Sequence, residues 1–109
     1  CINFTEVEIK KLGLKAPMVG HVGDGNFHAI IGYDPNKKGE YEKIRTLSNK
    51  LIDKTLELEG TITGEHGIGL HKKAYLLKEH ADNIPAMKLI KRSLDNNNIM
   101  NPGKIFDLN

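Results

Sequence analysis

A chain of 109 residues, 39% hydrophobic and 28% charged, is long enough for one modest core and fits neither the disordered nor the membrane-embedded class. The net charge of +2 comes from 16 Lys and Arg against 14 Asp and Glu mixed along the chain; with no Trp and three each of Tyr and Phe, this argues against a nucleic-acid partner. Cys1 is the lone cysteine, which excludes an intrachain disulfide and a cysteine-based zinc cluster, and no stretch approaches the roughly 18 apolar residues of a membrane span.

In chain order, Thr5 to Lys11 reads as a short polar helix that "LGLKAP" interrupts. "PMVGHV" and "NFHAIIGY" are rich in β-branched and aromatic residues and are separated by "GDG", which predicts a β-hairpin closed by the turn "DPNKKG". From Glu40 to Glu59 the residues Ile44, Leu47, Leu51, Ile52, Thr55 and Leu58 recur at helical spacing, and Gly60 supplies the stop. "GTITGEHGIG" carries too many glycines for a helix interior and predicts a short strand entering a special loop. A short helix over Lys72 to Lys78 follows. A second starts at Pro85 and presents Met87, Ile90 and Leu94 as core, and "DNNN" stops it before an extended tail, "IMNPGKIFDLN". The absence of a starting Met suggests a piece of a longer protein.

Three stretches carry candidate chemistry. In "HVGDGNFH" a tight turn that sets Val22 opposite Phe27 also sets His21 opposite His28, with Cβ atoms about 4.5–5.5 Å apart, so that both rings reach one ion. Equally, the two are a surface pair beside a turn. A dinucleotide cradle is disfavoured because the glycines join two strands and do not lead a strand into a helix. Gly23 and Gly25 then serve the turn, Asp24 stabilises it, and Asn26 does likewise or points to a ligand. In "TGEHGIG", Glu65 offers a carboxylate beside His66. Two histidines and one carboxylate leave coordination positions open, as in a catalytic zinc or manganese centre, with His66 free for proton transfer. Taken singly, Glu65 and His66 are equally solvated loop residues. His71, His80 and the lysines at 72, 73 and 78 read as a solvated face.

The motifs "GHVGDGNFH", "GTITGEHGIG" and "NIMNPGKIF", in this order, resemble the C-terminal domain of FAD-linked oxidases of the vanillyl-alcohol oxidase type, over roughly Leu14 to Asn109. The resemblance implies an α+β fold, a partial ferredoxin-like cap with a β-hairpin packed by helices and an extended C-terminal tail. It also implies that residues 1–109 are the C-terminal portion of a flavoprotein whose FAD-binding domain lies elsewhere, so that the chain alone does not turn over. His21, His28 and Glu65 correspond to the family's ligands for a divalent metal, zinc or manganese, and His66 to its catalytic base. Asn101, Pro102, Gly103 and Lys104 match the family's tail segment that lies near the flavin, and Asn26, which serves the turn or points to a ligand, joins Asn101 and Lys104 as a candidate cofactor contact. The implied reaction is oxidation of a small D-2-hydroxy acid, D-lactate to pyruvate, with electrons passed through FAD to cytochrome c. Glycolate or D-2-hydroxyglutarate are the other substrates that the family offers. Ile30 is apolar where hydroxyglutarate-type members tend to be polar, which tilts the choice toward lactate, whereas Asn96 replaces the family's usual proline. The implied compartment is mitochondrial in a eukaryote and cytoplasmic otherwise. A stand-alone metal-binding or interaction module derived from the cap is the alternative from another class.

Overall fold

The computed structural model describes residues 1–109, which form two compact units, Cys1–Gly60 and Thr61–Asn109. Each is built around its own small apolar cluster.

In the first unit, helix α1 spans Ile2–Lys11 and buries Thr5, Glu8 and Ile9 on one face. It ends where Gly13 takes a φ of +66°, with the Gly13 and Leu14 amides returning to the Lys10 and Ile9 carbonyls. Helix α2, Glu40–Glu57, packs against α1 and buries Leu47 to 1% exposure, a contribution of about 1.5–3 kcal/mol. It ends as the periodicity predicts, with the Gly60 amide bonded to the Thr55 carbonyl. Before α2, the Asp34 side chain accepts the Asn36 amide and the Glu40 carboxylate accepts the Asp34 amide. These bonds build the expected turn from local polar groups.

Between α1 and α2 lies a two-stranded antiparallel sheet, β1 (Met18–Val19) and β2 (His28–Ala29). The predicted hairpin therefore exists, but its register is Met18 opposite Ala29 and Val19 opposite His28. His21 does not face His28. It lies outside the strands and caps a 3-10 turn over Val22–Asp24.

Glu8 is 4% exposed, and each carboxylate oxygen meets one ammonium, Oε1 that of Lys11 and Oε2 that of Lys50. The Lys11 bond, followed by that of Lys50, holds the Glu8 carboxyl below its ordinary value of 4.5. Because the folded-state value is depressed, this stabilisation is complete above the unfolded value and is lost as pH falls through the folded one. Glu8→Gln is therefore expected to lower the thermal midpoint at neutral pH, with the gap from wild type closing below about pH 4. A pH-independent gap in thermal unfolding would refute this assignment.

The second unit contains no strand. Helix α3 spans Lys73–His80, a 3-10 turn follows at Ala81–Asn83, and helix α4 spans Ile84–Leu94 with Pro85 in its first turn. Its apolar cluster comprises Ile62, Ile68, Leu76 and Ile84. The strand expected from "GTIT" does not form, because side chains satisfy its backbone. The Ile62 amide donates to the Glu79 carboxylate (3.1 Å), and the Ile62 and Thr63 carbonyls accept from Lys72 Nζ, so no ladder partner is needed.

Two further expectations change here. The periodic stripe on α4 is not core, since Ile90 and Leu94 are 62% and 80% exposed. The tail is not extended but folds into consecutive turns, with Asn98, Asn101 and Ile105 at positive φ. A helical period reports an apolar face without specifying what covers it. The architecture is a small α+β arrangement of helices with one two-stranded sheet.

Candidate functional site

The first motif is held by its own backbone. The His21 carbonyl accepts the amides of Asp24 (2.9 Å) and Asn26 (3.2 Å), and the Gly25 amide returns to the Val22 carbonyl. Gly25 closes the turn with a φ of 72°. Gly20 is required for closeness, since a Cβ there would lie 2.5 Å from the Phe27 Cα and 2.6 Å from the Asn26 carbonyl oxygen. These constraints build residues 20–27 around a 3-10 turn at Val22–Asp24 in place of a two-residue turn, and in the resulting register His21 does not pair with His28 across the strands. His21 is exposed, and His28 is half-buried on β2. Asn26, also half-buried, lines a crevice of about 390 Å³ with Phe27, Val22 and the first residues of α1.

In the second unit the Gly-rich loop is pinned at both flanks and presents its middle. Buried Ile62 and Ile68 seat it, Lys72 ties its start, the His66 amide turns back onto the Thr63 carbonyl, and Gly64, Gly67 and Gly69 all take positive φ. Between the buried isoleucines Glu65 and His66 stand exposed, with Oε1 3.7 Å from Nε2. A carboxylate and an imidazole on a fixed, solvent-facing loop can bind a cation and exchange a proton with a ligand.

The third motif is fastened onto the second. The Ile105 amide donates to the Gly69 carbonyl at 2.8 Å, and Lys73 Nζ reaches the Gly103 carbonyl (3.1 Å) and the Asp107 carboxylate (2.7 Å). Lys72 and Lys73 thus carry tertiary bonds and are not merely a solvated face. A groove of about 480 Å³ opens between α4 and the tail, walled by Met87, Ile90, Leu94 and Phe106, with Asn101 and Lys104 among its lining residues. Asp95, 6% exposed and also among the lining residues, accepts the Ile99 and Met100 amides and the Lys91 ammonium. Chiefly the Lys91 bond, and then the two amides acting against burial, hold its carboxyl below the ordinary 3.8.

The unassigned contributors in the sequence are therefore Lys72, Lys73 and Asp95. Asp95 does leave a local signal, an acidic residue at a helix end followed by Asn96, Asn97 and Asn98. The lysines leave none, because their acceptors are backbone carbonyls that any residue supplies.

Imidazole and carboxylate donors of the kinds at positions 21, 28 and 65 suit a borderline divalent ion. Asn101 and Lys104 offer the amide and ammonium donors that suit flavin oxygens or a carboxylate. No helix is long and apolar enough to cross a membrane.

A family profile described as "FAD linked oxidases, C-terminal domain" matches residues 1–105. Over 105 residues, 95% of this chain and 21% of the relative, the sequence is 44% identical to the probable mitochondrial D-lactate dehydrogenase of Danio rerio. The mitochondrial D-lactate dehydrogenase [cytochrome] of Kluyveromyces lactis is 42% identical over 108 residues, 98% of this chain and 18% of the relative. The glycolate oxidase subunit GlcD of Bacillus subtilis is 46% identical over 88 residues, 80% of this chain and 19% of the relative. The chain spans about a fifth of the length of these proteins. With nearly its whole length matched, the chain belongs to the family of FAD-linked oxidases, by their C-terminal domain.

Proposed function

We propose that residues 1–109 are the C-terminal, cap-completing portion of a flavin-dependent D-2-hydroxy acid dehydrogenase whose FAD-binding domain lies elsewhere in the protein. The preferred substrate is D-lactate, oxidised to pyruvate, and the terminal acceptor is cytochrome c, in mitochondria if the source is eukaryotic and in the cytoplasm otherwise. The partial ferredoxin-like cap belongs to the same reading. The observation that carries it is the match of residues 1–105 to the C-terminal domain of FAD-linked oxidases, with D-lactate dehydrogenases among the similar proteins; the Ile105–Gly69 hydrogen bond supports it by joining the loop of Glu65 and His66 to the turn of Asn101 and Lys104.

In this reading His21, His28 and Glu65 would hold a zinc or manganese ion, which would supply Lewis-acid chemistry at the hydroxyl of the hydroxy acid. His66 takes the hydroxyl proton at an imidazole nitrogen as the C2–H bond breaks. FAD, when bound, supplies the acceptor for the C2 hydride. Asn26, Asn101 and Lys104 contribute polar contacts to the cofactor. The glycines at 64, 67 and 69 let loop backbone approach a ligand closely. Loss of one proton to His66 and of one hydride converts the hydroxy acid into the 2-oxo acid, so the electrons balance.

The test is anaerobic mixing of the whole flavoprotein with D-lactate, glycolate and D-2-hydroxyglutarate while flavin absorbance is followed. Bleaching is expected, fastest with D-lactate. The identity to a glycolate oxidase subunit favours glycolate as the second reading, and preferential bleaching by glycolate would select it. If none of the three bleaches the flavin, the hydroxy-acid reading fails.

A further inference from the structure

An exposed polar turn of the tail rests on a buried charge. Asp95 follows α4 directly, and both of its carboxylate oxygens are occupied: Oδ1 accepts the Ile99 amide at 3.0 Å, and Oδ2 accepts the Met100 amide at 2.9 Å together with the Lys91 ammonium. Lys91 Nζ donates in addition to the Met100 carbonyl. Met100 is thus gripped at both ends of its backbone, its N–H by Asp95 and its carbonyl by Lys91. Its own side chain is 62% exposed, so apolar burial does not account for the grip.

The backbone on either side is one that an unsupported chain would leave. Asn98 and Asn101 sit at φ 51° and 47°, and Ile105 at 68°. Asparagine visits this region readily, whereas a β-branched residue is a genuine outlier there. Such conformations persist where surrounding contacts over-determine them, and they gather at ligand sites. Downstream the turn is fixed a second time, by Lys73 on the Gly103 carbonyl and by Gly69 on the Ile105 amide. Between the two fixed ends Asn101, Pro102 and Lys104 are exposed. A buried carboxylate and two lysines therefore immobilise a segment whose polar side chains face outward.

We propose that Asp95, working through Lys91, is a positioning residue that sets the Asn101–Lys104 turn in the geometry in which Asn101 and Lys104 meet bound ligand. This rests on the flavin and hydroxy-acid reading above. Both carboxylate oxygens of Asp95 are taken by Lys91 and by the Ile99 and Met100 amides, so its effect passes through that backbone. The substitution Asp95→Asn keeps the volume but turns one acceptor oxygen into a donor that faces an ammonium or an amide, so the grip on Met100 opens.

The experiment uses the whole flavoprotein with Asp95→Asn and, as a milder change, Lys91→Met, which keeps an unbranched stem. Hydrogen exchange over residues 99–104 is expected to accelerate about 10-fold or more, and kcat/KM to fall by about 10- to 100-fold, as ångström-scale misplacement does. The absorption spectrum of the bound flavin is expected to shift while the thermal midpoint stays within a few degrees. Unchanged exchange overturns the proposal, because Asp95 then does not hold the turn. Faster exchange with unaltered kcat/KM and flavin spectrum overturns it as well, because the role is then only structural. Should Asp95→Asn not fold, Lys91→Met decides by the same criteria. Wild-type protein whose flavin no 2-hydroxy acid reduces overturns the underlying reading and this role with it, whereas wild-type reduction with an unaffected variant overturns the role alone.

Discussion

His66→Asn in the whole flavoprotein is expected to slow 2-hydroxy acid oxidation by about 10²- to 10⁴-fold, the range that a positioned general base contributes. The His66 side chain is 68% exposed, and its loop is seated by Ile62 and Ile68 and tied by Lys72 and by the Ile105–Gly69 bond, none of which the substitution touches. An exposed side chain leaves no cavity when shortened, so the thermal midpoint should hardly move. Rapid-mixing measurement of flavin reduction at saturating substrate is the check. A rate within threefold of wild type would assign proton removal to another group and leave His66 as a surface residue of the loop.

Metal dependence provides the second large effect. Chelation is expected to abolish activity, and Zn²⁺ or Mn²⁺ to restore it. His28→Ala and Glu65→Ala are each expected to weaken metal binding by more than the ~10–100-fold that changes to groups supporting a ligand cause. Metal content by mass spectrometry and titration of the stripped protein make the comparison. His21→Ala is the informative third variant. The Val19–His28 register removes the cross-strand argument for pairing His21 with His28, so its place rests on the motif alone. Full metal retention in His21→Ala would strike it from the ligand set, and retention in all three variants would remove the metal from the mechanism.

These predictions draw on residues that the sequence made visible to different degrees, and the difference follows the range of the interactions. Helix α2 is legible because its hydrogen bonds close within four residues and its apolar period reports one buried face. The stop at Gly60 and the turn around Asp34 are legible for the same reason. The chemical types at His21, His28, Glu65 and His66 are equally plain, since side-chain chemistry is read directly from the chain. Their order among the three motifs is what points to the family.

Tertiary structure decided what depends on distant partners. Strand register is a local case that the residue pattern leaves open: the two amides accepted by the His21 carbonyl build a 3-10 turn where a two-residue turn fits the pattern equally well. The absence of a strand at "GTIT" is a longer-range case, because the Glu79 carboxylate satisfies Ile62 from within α3 and the Lys72 ammonium from the residue that precedes that helix. The stripe of α4 has the period of a core face, yet Ile90 and Leu94 remain exposed. Amphipathicity encodes a need for cover but not its source. Most consequential is the tail, where Pro and Gly suggest an extended path and tertiary bonds from Lys73 and Gly69, with local ones from Lys91 and Asp95, fold it into turns. The sequence by itself determined which groups could do chemistry and to which family they belong. The fold decided which of them share a loop system, because a lysine reaching a backbone carbonyl leaves no mark on the residue it holds.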